Sequence, residues 1–126
     1  MKIKIKRIYD PPEDADGLRI LIDRIWPRGV SKESARLDEW LKEIAPSDEL
    51  RKWFDHKEEN FEEFSKKYKE ELKNNHQTVE HLLQLIQNKT TTLLYGAKDQ
   101  KHNQAVVLQE FLEGQQKEPP ENCFIY

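Results

Sequence analysis

The strongest constraint on this chain is a pair of short apolar runs that stand far apart, each leading into a chemically rich segment. Leu18-Arg19-Ile20-Leu21-Ile22-Asp23 runs on into Arg24-Ile25-Trp26-Pro27-Arg28-Gly29, and Thr90-Thr91-Thr92-Leu93-Leu94-Tyr95 runs on into Gly96-Ala97-Lys98-Asp99. Runs of this length, with β-branched and aromatic residues, predict buried strands. The long stretch between them has helical spacing, so the two strands are predicted to pair in parallel across a helical connection. Both following segments then emerge at one carboxyl edge, which is where open α/β sheets place their ligands.

The rest of the chain fits around that pair. Met1 to Tyr9 has apolar residues at Ile3 and Ile5, the period-two spacing of a strand with one buried face, and Asp10 to Gly17 is dense enough in Pro, Asp and Gly to form a loop. Leu37, Trp40, Leu41 and Ile44 follow i, i+3, i+4, i+7 and predict a first helix of roughly ten residues. Ser47 is placed to cap a second, with Asp48 and Glu49 in its first turn, Leu50, Trp53 and Phe54 facing inward, and His56 at its end. Phe61, Phe64, Tyr68 and Leu72 predict a third helix in a strongly charged segment. Val79, Leu82, Leu83 and Ile86 predict a fourth after Asn74-Asn75, and Ala105, Val106, Leu108, Phe111 and Leu112 a fifth, ended by Gly114.

The fold expected is a single α/β domain over residues 1–126: a small, mostly parallel sheet of three or four strands covered by about five helices. Residues 115–126 carry Pro119-Pro120 ahead of an apolar end and are read as a tail or an edge strand. A chain of 126 residues has one core, and three Trp, five Phe and four Tyr anchor it despite a charged fraction of 36%. Cys123 is the single cysteine, so no internal disulfide can form. No run approaches the ~20 apolar residues of a membrane span, and the start of the chain does not read as a leader. A cytoplasmic protein with no membrane partner is expected.

Chemistry is expected where the two segments meet. Arg24 and Arg28 flank Trp26 and the fixed-φ Pro27, which places two guanidinium forks for a carboxylate or phosphate beside an indole. Lys98 and Asn103 would support the ligand, and Tyr95 would share the wall with Trp26. Asp23 and Asp99 are the proton-transfer candidates if the site is catalytic. A plainer reading has Arg24 pairing with Asp23 or Asp99, Trp26-Pro27 plugging the core and Asp99 capping a helix. His56, His76, His81 and His102 show no paired ligand spacing, so no metal is expected. Without a Walker or GxGxxG loop, no cofactor is expected either.

The functional expectation is therefore binding of, or catalysis on, a small anionic ligand. The alternative is a nucleic-acid-binding transcriptional regulator using Lys2, Lys4, Lys6, Arg7, Arg24 and Arg28 against phosphates, although a net charge of −3 counts against it. A third reading is a non-catalytic interaction protein.

Several strings occur together in order: Arg7-Ile8-Tyr9-Asp10, Leu21 to Gly29, Ala45-Pro46-Ser47, Leu50 to Phe54, and Leu93 to Asp99. On these the chain resembles the YeaO-like family, small bacterial proteins of unknown function, over about residues 3–112. The resemblance implies no activity. The first and last strings also echo a broader group with an Asp-x-Arg-x-x-Pro segment early and a Cys-His-Arg segment late. Asn103-Gln104-Ala105 stands where the late segment would lie, so a cysteine-dependent role does not carry over. Some members of the family are labelled transcriptional regulators, but no helix-turn-helix with a basic recognition helix is legible here.

Overall fold

A computed structural model describes residues 2–117 of the chain. Four strands form one sheet in the order β1-β4-β2-β3, where β1 is Lys2–Arg7, β2 Leu18–Leu21, β3 Glu39–Trp40 and β4 Thr90–Tyr95. Every pairing is parallel. The central strand β4 pairs Leu93 with Ile5 on one side and with Ile20 on the other, so the ends at Arg7, Leu21 and Tyr95 lie along one edge. The two apolar runs are thus hydrogen-bonded neighbours, as their spacing in the sequence predicts.

The period-two rule divides the sheet into two faces. Ile20, Ile22, Leu93 and Tyr95 join Ile3 in the larger core, beneath α2 (Asp48–Phe54), α3 (Phe61–Asn74), α4 (His76–Ile86) and α5 (Gln104–Lys117). Leu21 and Leu94 point the other way and pack with Ile8 and with Ala35 of the short helix α1 (Lys32–Ala35). Trp26, Val30 and Leu37 close over that smaller cluster. The helical stripes read from the sequence are the buried ones: Phe64, Tyr68 and Leu72 on α3, and Val79, Leu82 and Ile86 on α4. Ser47 caps α2 through Leu50 N–H, and Glu71 of α3 accepts from both the Ser47 amide and its hydroxyl. This fixes the start of α2 against α3.

Trp53, expected to face inward on α2, is instead 42% exposed beneath the Lys67 ammonium. Two further expectations are corrected. The stripe of Leu37, Trp40, Leu41 and Ile44 is not a helix. α1 lies earlier and ends where Arg36 adopts φ 47°, and the chain then extends as β3, with Lys42–Ile44 forming one 3-10 turn. The competing partner is β2: the Arg19 amide donates to the Asp38 carboxylate at 2.8 Å, Asp38 N–H donates to Arg19 O at 2.9 Å and Leu41 N–H to Leu21 O at 2.9 Å. Sheet hydrogen bonds thus take backbone groups that a helix would have used internally. Nor does Gly114 end the fifth helix, since α5 continues to Lys117. A glycine in a helix interior costs only about 1 kcal/mol against Ala, too little to stop a helix already packed on the sheet. The readings for Cys123 and for an edge strand after Pro119-Pro120 lie outside the described residues.

Candidate functional site

A cleft of about 1070 Å³ opens above the carboxyl edge of the sheet. One wall is the segment from Arg24 to Ser31, another is Ala45, Pro46 and the α2 residues Arg51 and Phe54, and the floor is Asp23, Gly96, Ala97, Asn103 and Gln104. The two segments singled out in the sequence do meet here. Asp23 Oδ2 accepts from the Gly96 amide at 2.9 Å, and its Oδ1 accepts from the side-chain amide of Gln104. One carboxylate therefore ties the end of β2 to the end of β4 and to the start of α5.

The wall from Arg24 to Val30 holds its shape through side chains bonded to backbone. Trp26 Nε1 donates to Val30 O at 2.7 Å and Tyr9 Oη to Arg28 O at 2.8 Å. Trp40 Nε1 donates to Asp23 O at 2.7 Å, and the Trp26 and Trp40 rings meet edge to face at 5.3 Å. Gly29 sits at φ 80°, a left-handed turn that a residue with a Cβ adopts only at a cost. Arg24 reaches across the cleft, donating from Nε to Pro46 O at 3.1 Å and from Nη2 to Ala45 O at 3.0 Å. It joins the two walls and does not pair with Asp23 or Asp99.

Of the eight residues expected to act, five line the cleft: Asp23, Arg24, Trp26, Arg28 and Asn103. Arg28 is exposed at the rim. Asn103 is 1% exposed and serves the fold: its Oδ1 accepts from the Ala105 and Val106 amides, capping α5, and its Nδ2 donates to Asp99 O. The other three lie elsewhere. Tyr95 is buried in the main core, where burial pushes its phenol above the ordinary value. Lys98 is exposed on the turn beyond Ala97, outside the cleft lining. Asp99 organises that turn, accepting from Lys101 N–H at 2.9 Å, His102 N–H at 3.0 Å and His102 Nδ1 at 2.9 Å. The Lys101 amide and His102 hold its carboxyl below the ordinary range.

Three contributors were not singled out as site residues in the sequence. Arg51, in the last turn of α2, brings a third guanidinium to the cleft; His56 and Tyr9 stand at its margin. The sequence signals for Arg51 are its place beside Leu50 on a short helix whose apolar face is buried and its membership of the string Leu50 to Phe54. Asp23 is desolvated by its position, which raises its carboxyl from 3.8 to about 6 against the opposing pull of the Gly96 amide, Gln104 and Arg51.

Of the basic residues considered for phosphate backbones, three on β1 are engaged within the fold. Lys4 Nζ donates to Ala15 O, Lys6 bridges Glu13 and Asp16, and Arg7 donates to the carbonyls of Ala97 and Gly96. Beyond the cleft, Glu58, Asp99 and His102 hold one potential metal-ligand atom each within 4.8 Å of one another. His102 Nδ1 lies 2.9 Å from Asp99, a hydrogen bond, and 4.0 Å from Glu58. Among the described residues no helix is long and apolar enough to cross a membrane.

Residues 2–123 match the family model described as the inactive DUF488-N3 subclade. The chain belongs to that subclade. Within it, the chain is similar to "Uncharacterized protein YeaO" of Escherichia coli (strain K12), 46% identical over 112 residues that cover 89% of this chain and 97% of the relative. It is also similar to "Uncharacterized protein Rv3073c" of Mycobacterium tuberculosis (strain ATCC 25618 / H37Rv), 36% identical over 113 residues, 90% of this chain and 95% of the relative. No solved structure matches. The resemblance to the YeaO-like family therefore holds over most of the chain.

Proposed function

We propose that this chain binds a small anionic ligand, bearing phosphate or carboxylate, in the cleft above the sheet edge, and holds it without chemical turnover. The charge of the lining carries this reading. The lining holds Arg24, Arg28 and Arg51 against one carboxylate, Asp23, and so carries two net positive charges in a concave, partly desolvated space, while Asp48, outside the lining, pairs with Arg51 at the surface. Trp26 and Tyr9 supply a flat apolar wall for the body of the ligand. Binding without turnover is supported by the family's description as an inactive subclade and by how the polar groups are used. Both oxygens of Asp23 already accept hydrogen bonds, Ser31 Oγ is engaged at the cap of α1, and Asp99 faces its own turn.

The test is ligand-induced stabilisation of the full chain across inorganic phosphate, phosphate monoesters, dicarboxylates and nucleoside monophosphates. Arg28→Gln is expected to reduce the response while leaving the melting temperature of the free protein unchanged. Absence of any shift at millimolar ligand refutes the reading. A mobility shift with duplex DNA that weakens steeply with salt would favour the regulator instead.

A further inference from the structure

We propose that Arg51 is a swinging anchor for this cleft: it leaves Asp48 and turns its guanidinium onto a phosphate monoester when one binds. The proposal rests on the anion-binding reading above and names both the ligand class and the residue that grips it.

Arg24 and Arg28 bracket the possibilities. Arg24 is fixed, with Nε and Nη2 both donating to carbonyls across the cleft, and Arg28 is an exposed rim residue. Arg51 is neither satisfied nor free. Its Nη2 donates to Asp48 at 3.1 Å, an i,i+3 ion pair whose side chains are 39% and 63% exposed. Its Nε is closed off from solvent and is the one buried side-chain nitrogen or oxygen among the described residues with no hydrogen-bond partner. An exposed ion pair holds weakly, whereas an unmet buried donor on a charged group is costly. The resting pose is thus poorly held at one nitrogen and unsatisfied at another, on a side chain whose torsions can carry it over the cavity it already lines. Turning into the cleft presents Nε–H and an Nη–H side by side, the fork that accepts two oxygens of one oxyanion.

The charge of the cleft selects among oxyanions. Two net positive charges are matched by the dianion of a phosphate monoester in one compact group, while a monocarboxylate leaves one charge unmet. Asp23, on the floor, opposes a second anionic group there and favours a ligand whose remainder is neutral.

Calorimetric titration of the full chain with inorganic phosphate and methyl phosphate, against acetate and succinate, tests this. The wild type is expected to bind methyl phosphate more tightly than either carboxylate. Arg51→Gln should weaken that binding about ten- to a hundredfold, the loss of a charged bidentate contact, with an unchanged or higher melting temperature because the unmet donor is gone. Asp48→Asn, which releases the side chain, should tighten binding about two- to fivefold. Arg51→Lys keeps the charge without the fork and should remain at least about fivefold weaker than the wild type. Wild-type affinity in Arg51→Gln or Arg51→Lys, or no gain in Asp48→Asn, overturns the anchor. Succinate binding with no phosphate binding overturns it while leaving the anion cleft standing, and no binding of any of the four overturns both.

Discussion

Replacing Asp23 with asparagine should stabilise this protein at neutral pH, although the carboxylate sits at the centre of the loop junction. Desolvation dominates its environment and raises its carboxyl from 3.8 to about 6, even with the Gly96 amide and Gln104 donating to it. That difference corresponds to about 3 kcal/mol of folding free energy lost when the group is ionised. The sign follows from proton counting. Between the unfolded and folded values the native state holds more protons than the unfolded chain, so the carboxyl's contribution falls as pH rises from about 4 to about 6 and stays fully unfavourable above that. An asparagine side chain at this position has no charge to desolvate; its oxygen can take the Gly96 amide, and its NH₂ can meet Gln104 after that side chain turns over. Urea unfolding of both proteins from pH 4 to 8 measures the difference directly. Asp23→Asn is expected to match the wild type near pH 4 and to exceed it by up to about 3 kcal/mol at pH 8. A mutant less stable than the wild type at pH 8, or a gap that does not grow with pH, would mean that the charged form is the one the junction requires.

Three further substitutions probe the scaffold. Arg19 is 4% exposed and bonds Asp16, Ala35 O and Arg36 O, so Arg19→Ala should cost about 3 kcal/mol in chemical denaturation; a loss under about 1 kcal/mol would show that Lys6 alone suffices for Asp16. The wholly buried Tyr68 hydroxyl donates to Ile44 O at 2.7 Å, and Tyr68→Phe should cost about 1–3 kcal/mol by leaving that carbonyl unmet, with no change in the circular dichroism of the fold. Phe64, 1% exposed and stacked on Phe54 at 4.3 Å, should cost about 3–5 kcal/mol as Phe64→Ala, and a calorimetric loss below about 2 kcal/mol would indicate that the core collapses into the space.

The parts of this structure that could be read from the sequence are those where one local signal and the tertiary context agree. The run from Leu18 to Ile22 is a case in point: Ile20 and Ile22 face one core and Leu21 the other, so a mostly apolar run correctly signals a strand buried on both sides. The same agreement holds for the stripes of α3 and α4 and for the Ser47 cap. The failure at Leu37 to Ile44 has the opposite origin. Leu37 belongs to the smaller cluster, Leu41 and Ile44 to the larger one, and Trp40 lies against Trp26, so a helical spacing arose from residues that serve different faces. What decided the segment was Asp38 meeting Arg19, a pairing across the fold.

The site divides in the same way. That Asp23 and Gly96 meet follows from parallel pairing alone, and the contact was legible for that reason. Lys98 and Asp99 fall outside the cleft because the chain wraps around the Asp99 carboxylate after Ala97 and turns away, a role closer to the plainer capping reading of Asp99 than to the catalytic one. Arg51 lies in the string Leu50 to Phe54, but nothing in that string points it at the cleft, because its place there comes from the wall that α2 forms once Ser47 and Glu71 fix its start.

The way Asn103 and Asp23 occupy the floor has a consequence for how such a protein can change. The amides that begin α5 are taken by Asn103, and the Gly96 amide is taken by Asp23. On the floor, then, the Gly96, Ala105 and Val106 amides are already committed, and what that part of the cleft offers a guest is side chains. The side chains of the cleft are in that sense of two kinds: Arg24 and Trp26 also hold the walls together and cannot change without disturbing them, whereas Arg28 and Arg51 make no such closing contact and can be exchanged while the sheet and its junctions stay as they are.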